Sequence, residues 1–185
     1  DIKWKNISLM ATDDRVVPLD SFYSNTSKIK NELVLKLKYK NRPSLINLFS
    51  EKNNDIKNGL SLIENYLLKN TPDIAFLGMG IDGHIAGIFD KNLSQKFCYD
   101  FKNKVEAHRR ITISMNVFIK TKNIILYILG KEKKKMLSSI LSKKNHKNFI
   151  PAKFLLENNF GKKIIICDKE AAPSEFSIGH SIIYL

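Results

Sequence analysis

The chain has 185 residues, 27 of them Lys and only 4 Arg, and carries a formal net charge of +13 at pH 7. With 43% hydrophobic and 10% aromatic residues it has a globular rather than a disordered composition, and no apolar run approaches the roughly 20 residues of a membrane span. Lysine is spread over every segment beside 18 Asn, while Arg, the residue suited to bidentate phosphate and base contacts, is scarce; the charge therefore describes a solvated basic surface, not a nucleic-acid-binding patch.

In chain order, a β-favouring run at residues 7–10 comes first, followed by the dense charge group Asp13, Asp14 and Arg15. Ser24 and Asn25 are good capping residues, and from them a helix is predicted with Ile29, Leu33 and Leu37 on one face. The Asn/Lys-rich stretch 52–58 reads as a solvated helix end or loop, and Ile56, Leu60, Ile63 and Leu67 mark a second helix. A strand at 74–77 runs into a glycine-rich loop and a short helix. Arg109 and Arg110 lead into a strand at 111–114, and a further strand spans 124–129. After Gly130 a helix carries Met136, Ile140 and Leu141; residues 143–148 repeat the Asn/Lys composition. Pro151 is predicted at a first helical position, which favours proline, and a last strand covers 164–167.

The runs IAFL, IILYIL and IIIC are continuously apolar, as expected of strands covered on both faces in a parallel sheet. Strand–helix alternation without a repeat or a Pro/Gly/Ser-rich linker predicts one α/β domain over 1–185: an open, mostly parallel, doubly wound sheet with helices on both faces. In such sheets ligands bind beyond the carboxyl ends of strands.

The segment DIAFLGMGIDGHIAGIF, residues 73–89, is the most informative. Gly78, Gly80 and Gly83 allow a tight turn and close approach to a ligand, leaving amides pointing outward. Asp82 and His84 follow the strand; a helix N-terminus beside His84 would favour its neutral, proton-accepting form. Arg15 has the geometry for a bidentate contact to phosphate or carboxylate. Lys131, Lys133, Lys134 and Lys135 crowd the start of a helix, an arrangement that a bound anion would relieve, with Lys133 favoured. Arg110 offers a weaker second anion contact. Cys98 and Cys167 are isolated, and His84, His108, His146 and His180 show no metal-ligand spacing, so neither a metal nor a cofactor is expected. A pocket with a His, carboxylates and cations suits acid–base chemistry on a small phosphorylated molecule.

Taken together, Asp13-Asp14-Arg15, Ser24-Asn25, Gly78-Met79-Gly80-Ile81-Asp82-Gly83-His84 with Ala86 and Phe89, Arg110-Ile111-Thr112-Ile113-Ser114, Gly130 with Lys133, and Pro151-Ala152 resemble the 6-phosphogluconolactonase family. That family belongs to a larger group with glucosamine-6-phosphate deaminases. Arg15, where deaminases usually have Tyr, and the run Ile85-Ala86-Gly87-Ile88-Phe89 resemble lactonases more than deaminases. The resemblance implies a cytoplasmic, metal-independent hydrolase of 6-phosphoglucono-δ-lactone in the pentose phosphate pathway, with no nucleic-acid or membrane partner and the oligomeric state left open. It implies His84 as general base, Asp82 as its orienting partner, the amides of the Gly78–Gly83 loop at the oxyanion, and Arg15, Lys133, Arg110, Asp13, Gly80 and Gly83 toward the substrate and its phosphate. A deaminase/isomerase-type enzyme and a non-catalytic sugar-phosphate-binding domain are the alternatives. Two departures stand out. Asp90 replaces the usual Pro, and the family's first strand, Gly-rich loop and helix would precede Asp1, so the sequence is expected to lack that N-terminal part.

Overall fold

A run such as IIIC can be covered on one face or on both, and the layers packed against the sheet decide which. The computed structural model of the chain describes residues 2–49, 56–91, 95–102, 107–142, 146–173 and 181–185. Its elements are β1 (Ser8–Met10), β2 (Asp13–Arg15), α1 (Asn25–Glu32), β3 (Ser44–Ile46), α2 (Ile56–Lys69), β4 (Ile74–Leu77), β5 (Cys98–Lys102), β6 (Arg109–Ile113), α3 (Met115–Phe118), β7 (Asn123–Ile128), α4 (Lys134–Leu141), α5 (Pro151–Glu157), β8 (Lys162–Cys167) and β9 (Ser181–Tyr184). They fall into two compact units: Asp1–Tyr66 with Cys98–Thr112, and Leu67–Phe97 with Ile113–Leu185.

The second unit is built on a four-stranded sheet of order β4-β7-β8-β9, parallel throughout. Ile124 pairs with Ala75 on one side and Lys163 on the other, and Ile166 pairs with Ile183. Leu126, Leu137, Leu155 and Ile165 are wholly buried, and burial of such a side chain contributes about 1.5–3 kcal/mol. Pro151 opens α5 as expected, its missing N–H costing nothing at a first helical position.

Burial is uneven between the two faces of this sheet. In β4 Ala75 and Leu77 are buried, while Ile74 and Phe76 are 51% and 66% exposed. β7 alternates likewise, with Ile124, Leu126 and Ile128 buried and Tyr127 exposed. Continuous apolarity thus marks these runs as strands without telling which of the two faces is packed more deeply.

In the first unit β1 pairs in parallel with β3, and β2, β6 and β5 form a separate three-stranded sheet. Asp13-Asp14-Arg15 is a strand of its own, antiparallel to β6 with Asp13 opposite Thr112 and Arg15 opposite Arg110. Ser24 caps α1 by accepting from Ser27 N at 3.0 Å. The helix stops at Glu32 and a 3-10 turn follows over Val34–Lys36, so the predicted continuation to Leu37 does not form. Its buried residues are Thr26 and Ser27, a polar face turned toward buried Asp14 rather than an Ile/Leu stripe. α2 buries Ile63 and Leu67 of the predicted set. Of the Asn/Lys-rich stretches, 52–55 and 143–145 lie outside the described residues, as does His180.

Candidate active site

Beyond the carboxyl end of β4 the chain closes a tight loop on itself. Gly80 N donates to His84 O at 2.8 Å and Gly83 N donates to Gly80 O at 3.0 Å. Asp82 sits at the apex, where its Oδ1 accepts from His84 N at 3.2 Å and lies 2.6 Å from His84 Nδ1. Burial pulls the Asp82 carboxyl upward, but the side-chain and backbone hydrogen bonds from His84, with that residue's charge, outweigh it and leave the group below its ordinary value. An ionised carboxylate only accepts, so Nδ1 carries the proton. Nε2, which makes no hydrogen bond among the described residues, then presents its lone pair outward. The imidazole also packs against Phe89, with ring centroids 4.3 Å apart and planes 33° from parallel, so ring position and tautomer are both set.

The glycines are needed here for two different reasons. A Cβ on Gly80 would collide with His84 Nδ1 and Cε1 and stand 2.6 Å from Asp82 Oδ1, breaking the pair. Gly83 has φ +84°, and a Cβ there would strike Ile150 Cγ2 and approach Met136 Sδ to 3.2 Å. Gly83 O also accepts from Ala152 N at 3.0 Å, tying the start of α5 to the loop. Gly83→Ala is therefore expected to destabilise the fold by about 2 kcal/mol through backbone strain and overpacking, read as a lower midpoint in urea unfolding.

No helix follows His84, contrary to expectation. Ala86 takes φ +49° and Ile88 N donates to Ile85 O at 2.9 Å, a reversal pinned by two buried isoleucines. Two left-handed residues within four positions cannot propagate a right-handed helix, so Asp82, and not a helix dipole, is the partner of His84. The Gly80 and Gly83 amides are taken up inside the loop. The Asp82 amide faces its own carboxylate, and that of Ile81 has no acceptor among the described residues.

At the ends of β7 and β8, Gly130 N donates to Asp168 Oδ1 and Oδ2 at 3.2 and 3.0 Å. A 3-10 turn, Lys131–Lys133, then precedes α4. Lys133 is half-buried while Lys131, Lys134 and Lys135 are exposed. Asp168 thus meets the amide at the start of this turn, and Glu132 stands within it among the lysines. Asp168 was missed in the sequence, although an acid directly after a buried strand was a signal. Cys167 beside it is fully buried, and burial, then the Asp168 charge, pushes its thiol up, away from a nucleophilic thiolate. Among the described residues no group of three His, Cys, Asp or Glu could hold a metal ion, and no helix is long and apolar enough to cross a membrane.

In the first unit Asp13 and Arg110 pair with each other, each side chain 10% exposed. Asp14, 4% exposed, accepts four hydrogen bonds, from Arg15 N, Ser24 Oγ, Asn25 N and Thr26 N at 2.7–3.0 Å. Arg15, half-buried, donates through Nη1 to Asn25 Oδ1 at 2.9 Å.

An open α/β sheet carrying a His–Asp pair on a glycine loop after a parallel strand has its candidate site where doubly wound folds bind their ligands. A profile of the glucosamine-6-phosphate isomerases/6-phosphogluconolactonase family matches residues 1–165, and the chain belongs to that family. A 6-phosphogluconolactonase of Neisseria meningitidis is 30% identical over 146 residues, covering 72% of this chain and 62% of the relative. This chain thus spans less than two thirds of that relative's length. In structure, 6-phosphogluconolactonase from Trypanosoma brucei superposes with TM-score 0.72 at 23% identity, covering 88% of this chain and 72% of the other. A monomeric glucosamine-6-phosphate deaminase superposes with the same TM-score, 0.72, at 19% identity, covering 91% and 75%. Both likenesses establish the doubly wound α/β fold.

Proposed function

We propose that the chain carries the hydrolytic site of a 6-phosphogluconolactonase acting on 6-phosphoglucono-δ-lactone. The observation that carries the reading is the His84–Asp82 pair, with Nδ1 held at 2.6 Å and Nε2 open. The lactonase names of relatives such as the Neisseria meningitidis protein support the choice of substrate. The deaminase neighbour, a likeness of fold, does not point to deamination here.

In the proposed reaction His84 Nε2 takes a proton from water as the water oxygen attacks lactone C1. The carbonyl pair moves to oxygen, and the Ile81 amide of the glycine loop is the donor proposed for the resulting oxyanion. Collapse re-forms the carbonyl and breaks the bond from C1 to the ring oxygen, which takes the proton back from His84. The acid formed ionises to 6-phosphogluconate. Asp82 keeps Nδ1 protonated throughout and stabilises the transient imidazolium. No metal enters these steps. Arg15 and Lys133 are each proposed as a phosphate contact, while Asp13 and Arg110 pair with each other. Binding energy from a phosphate remote from C1 is available to orient the reacting carbonyl.

The test is lactone hydrolysis followed by proton release at constant pH, corrected for the uncatalysed reaction, in parallel with ammonia release from glucosamine 6-phosphate. Enzyme-dependent proton release without ammonia is expected. Ammonia release would overturn the reading in favour of a deaminase, and binding of 6-phosphogluconate without turnover would leave a non-catalytic domain.

A further inference from the structure

Arg15 lies directly opposite Arg110 across the β2–β6 pair, an arrangement in which like charges repel. Arg110 is answered by Asp13. Arg15 is held differently, by a neutral amide. Asn25 Oδ1 accepts from Arg15 Nη1 at 2.9 Å, while Asn25 Nδ2 donates to Asp13 O at 2.8 Å and, at 3.5 Å, reaches Asp13 Oδ1. Two acceptors on the Asp13 side fix which way the amide faces. A flipped amide would set N–H against guanidinium and oxygen against two oxygens. The backbone of Asn25 is anchored as well, its N–H donating to buried Asp14 at 2.7 Å. Guanidinium has five N–H donors, and this is the one side-chain hydrogen bond Arg15 makes among the described residues, so four donors stay open.

We propose that Asn25 is a positioning residue, holding the Arg15 guanidinium in a fixed plane without neutralising it, so that its open donors meet the substrate phosphate. The inference rests on the reading of Arg15 as a phosphate contact. A carboxylate in the same place would orient Arg15 equally well but would compete with the phosphate for its charge. A role confined to starting α1 makes the opposite demand, since an acid in a helix's first turn is favourable there.

The experiment measures the Kd of 6-phosphogluconate by calorimetry, with KM and kcat for the lactone and the thermal midpoint, in Asn25→Ala, Asn25→Asp, Arg15→Ala and the double variant Arg15→Ala/Asn25→Ala. Asn25→Ala is expected to raise Kd and KM about 10-fold, the scale of one hydrogen bond to a charged group, with kcat within about 3-fold. Asn25→Asp is expected to raise them further and to lower the thermal midpoint, because its second oxygen replaces the amide that donates to Asp13 O. In the Arg15→Ala background the Asn25 substitution should add nothing, because its effect passes through Arg15. The proposal is overturned if Asn25→Asp binds as the unmodified chain does, or if Asn25→Ala has the same effect with and without Arg15. If Arg15→Ala itself leaves Kd unchanged, the assignment of Arg15 falls, and the inference with it.

Discussion

His84→Ala is expected to lower kcat for lactone hydrolysis by about 10³-fold, within the range a positioned general base supplies, and to move the thermal midpoint by no more than a few degrees. The fold should tolerate the change because the His84 side chain is 32% exposed and is held by Asp82, at 57%, rather than by the core. Asp82→Asn is the finer probe. Its amide oxygen still accepts from Nδ1, so the ring keeps its place, but the charge that stabilises imidazolium is gone; a fall of about 10-fold to 100-fold in kcat is expected, with KM little changed. The sign of the pH effect follows from the lowered Asp82 value. Stability from the ionised pair is present above the ordinary carboxylate range and is lost as pH falls through the lower native value. Full activity in His84→Ala at matched substrate would remove His84 from the chemistry, whatever the result for Asp82.

What the sequence revealed, and what it hid, divides along the length scale of the interactions. Ser24 as a cap, Pro151 as a helix start and the strand feeding the glycine loop are decided within a few residues, and all are legible. The helix placed after His84 failed for a local reason that periodicity does not carry: Gly83 and Ala86 both have positive φ, and an alanine announces no such turn. The grip of Asp168 on Gly130 spans 38 positions and exists only because β7 and β8 run side by side. The amide at the start of the lysine-rich turn therefore has a partner that no local pattern announces. Asp13 and Arg110 are 97 residues apart. Each looked like a ligand contact because its partner was invisible from sequence alone. Asn25 was legible as a helix starter but not as the orienting group of Arg15, since that role depends on β2 passing alongside the start of α1.

The Asp13–Arg110 pair gives the largest expected effect on stability. Both side chains are 10% exposed, so removing one leaves a charge that water does not reach. Asp13→Ala is expected to cost about 3–5 kcal/mol, measured as the loss in unfolding free energy by urea titration. Arg15 stands directly opposite Arg110 across the strand pair, so losing the Asp13 charge also leaves less to offset that like-charge pair. Replacing both partners by apolar residues, as in Asp13→Leu/Arg110→Met, is expected to restore much of the loss, since two desolvated charges are removed together. Phosphate affinity should separate from stability here. Asp13→Asn removes a negative charge beside the Arg15 support while retaining a polar side chain for Arg110. It is expected to unfold more easily yet bind 6-phosphogluconate no more weakly than the unmodified chain. A variant that loses affinity and keeps its stability would mean that Asp13 meets the substrate directly, and the pair would then have to open for the ligand.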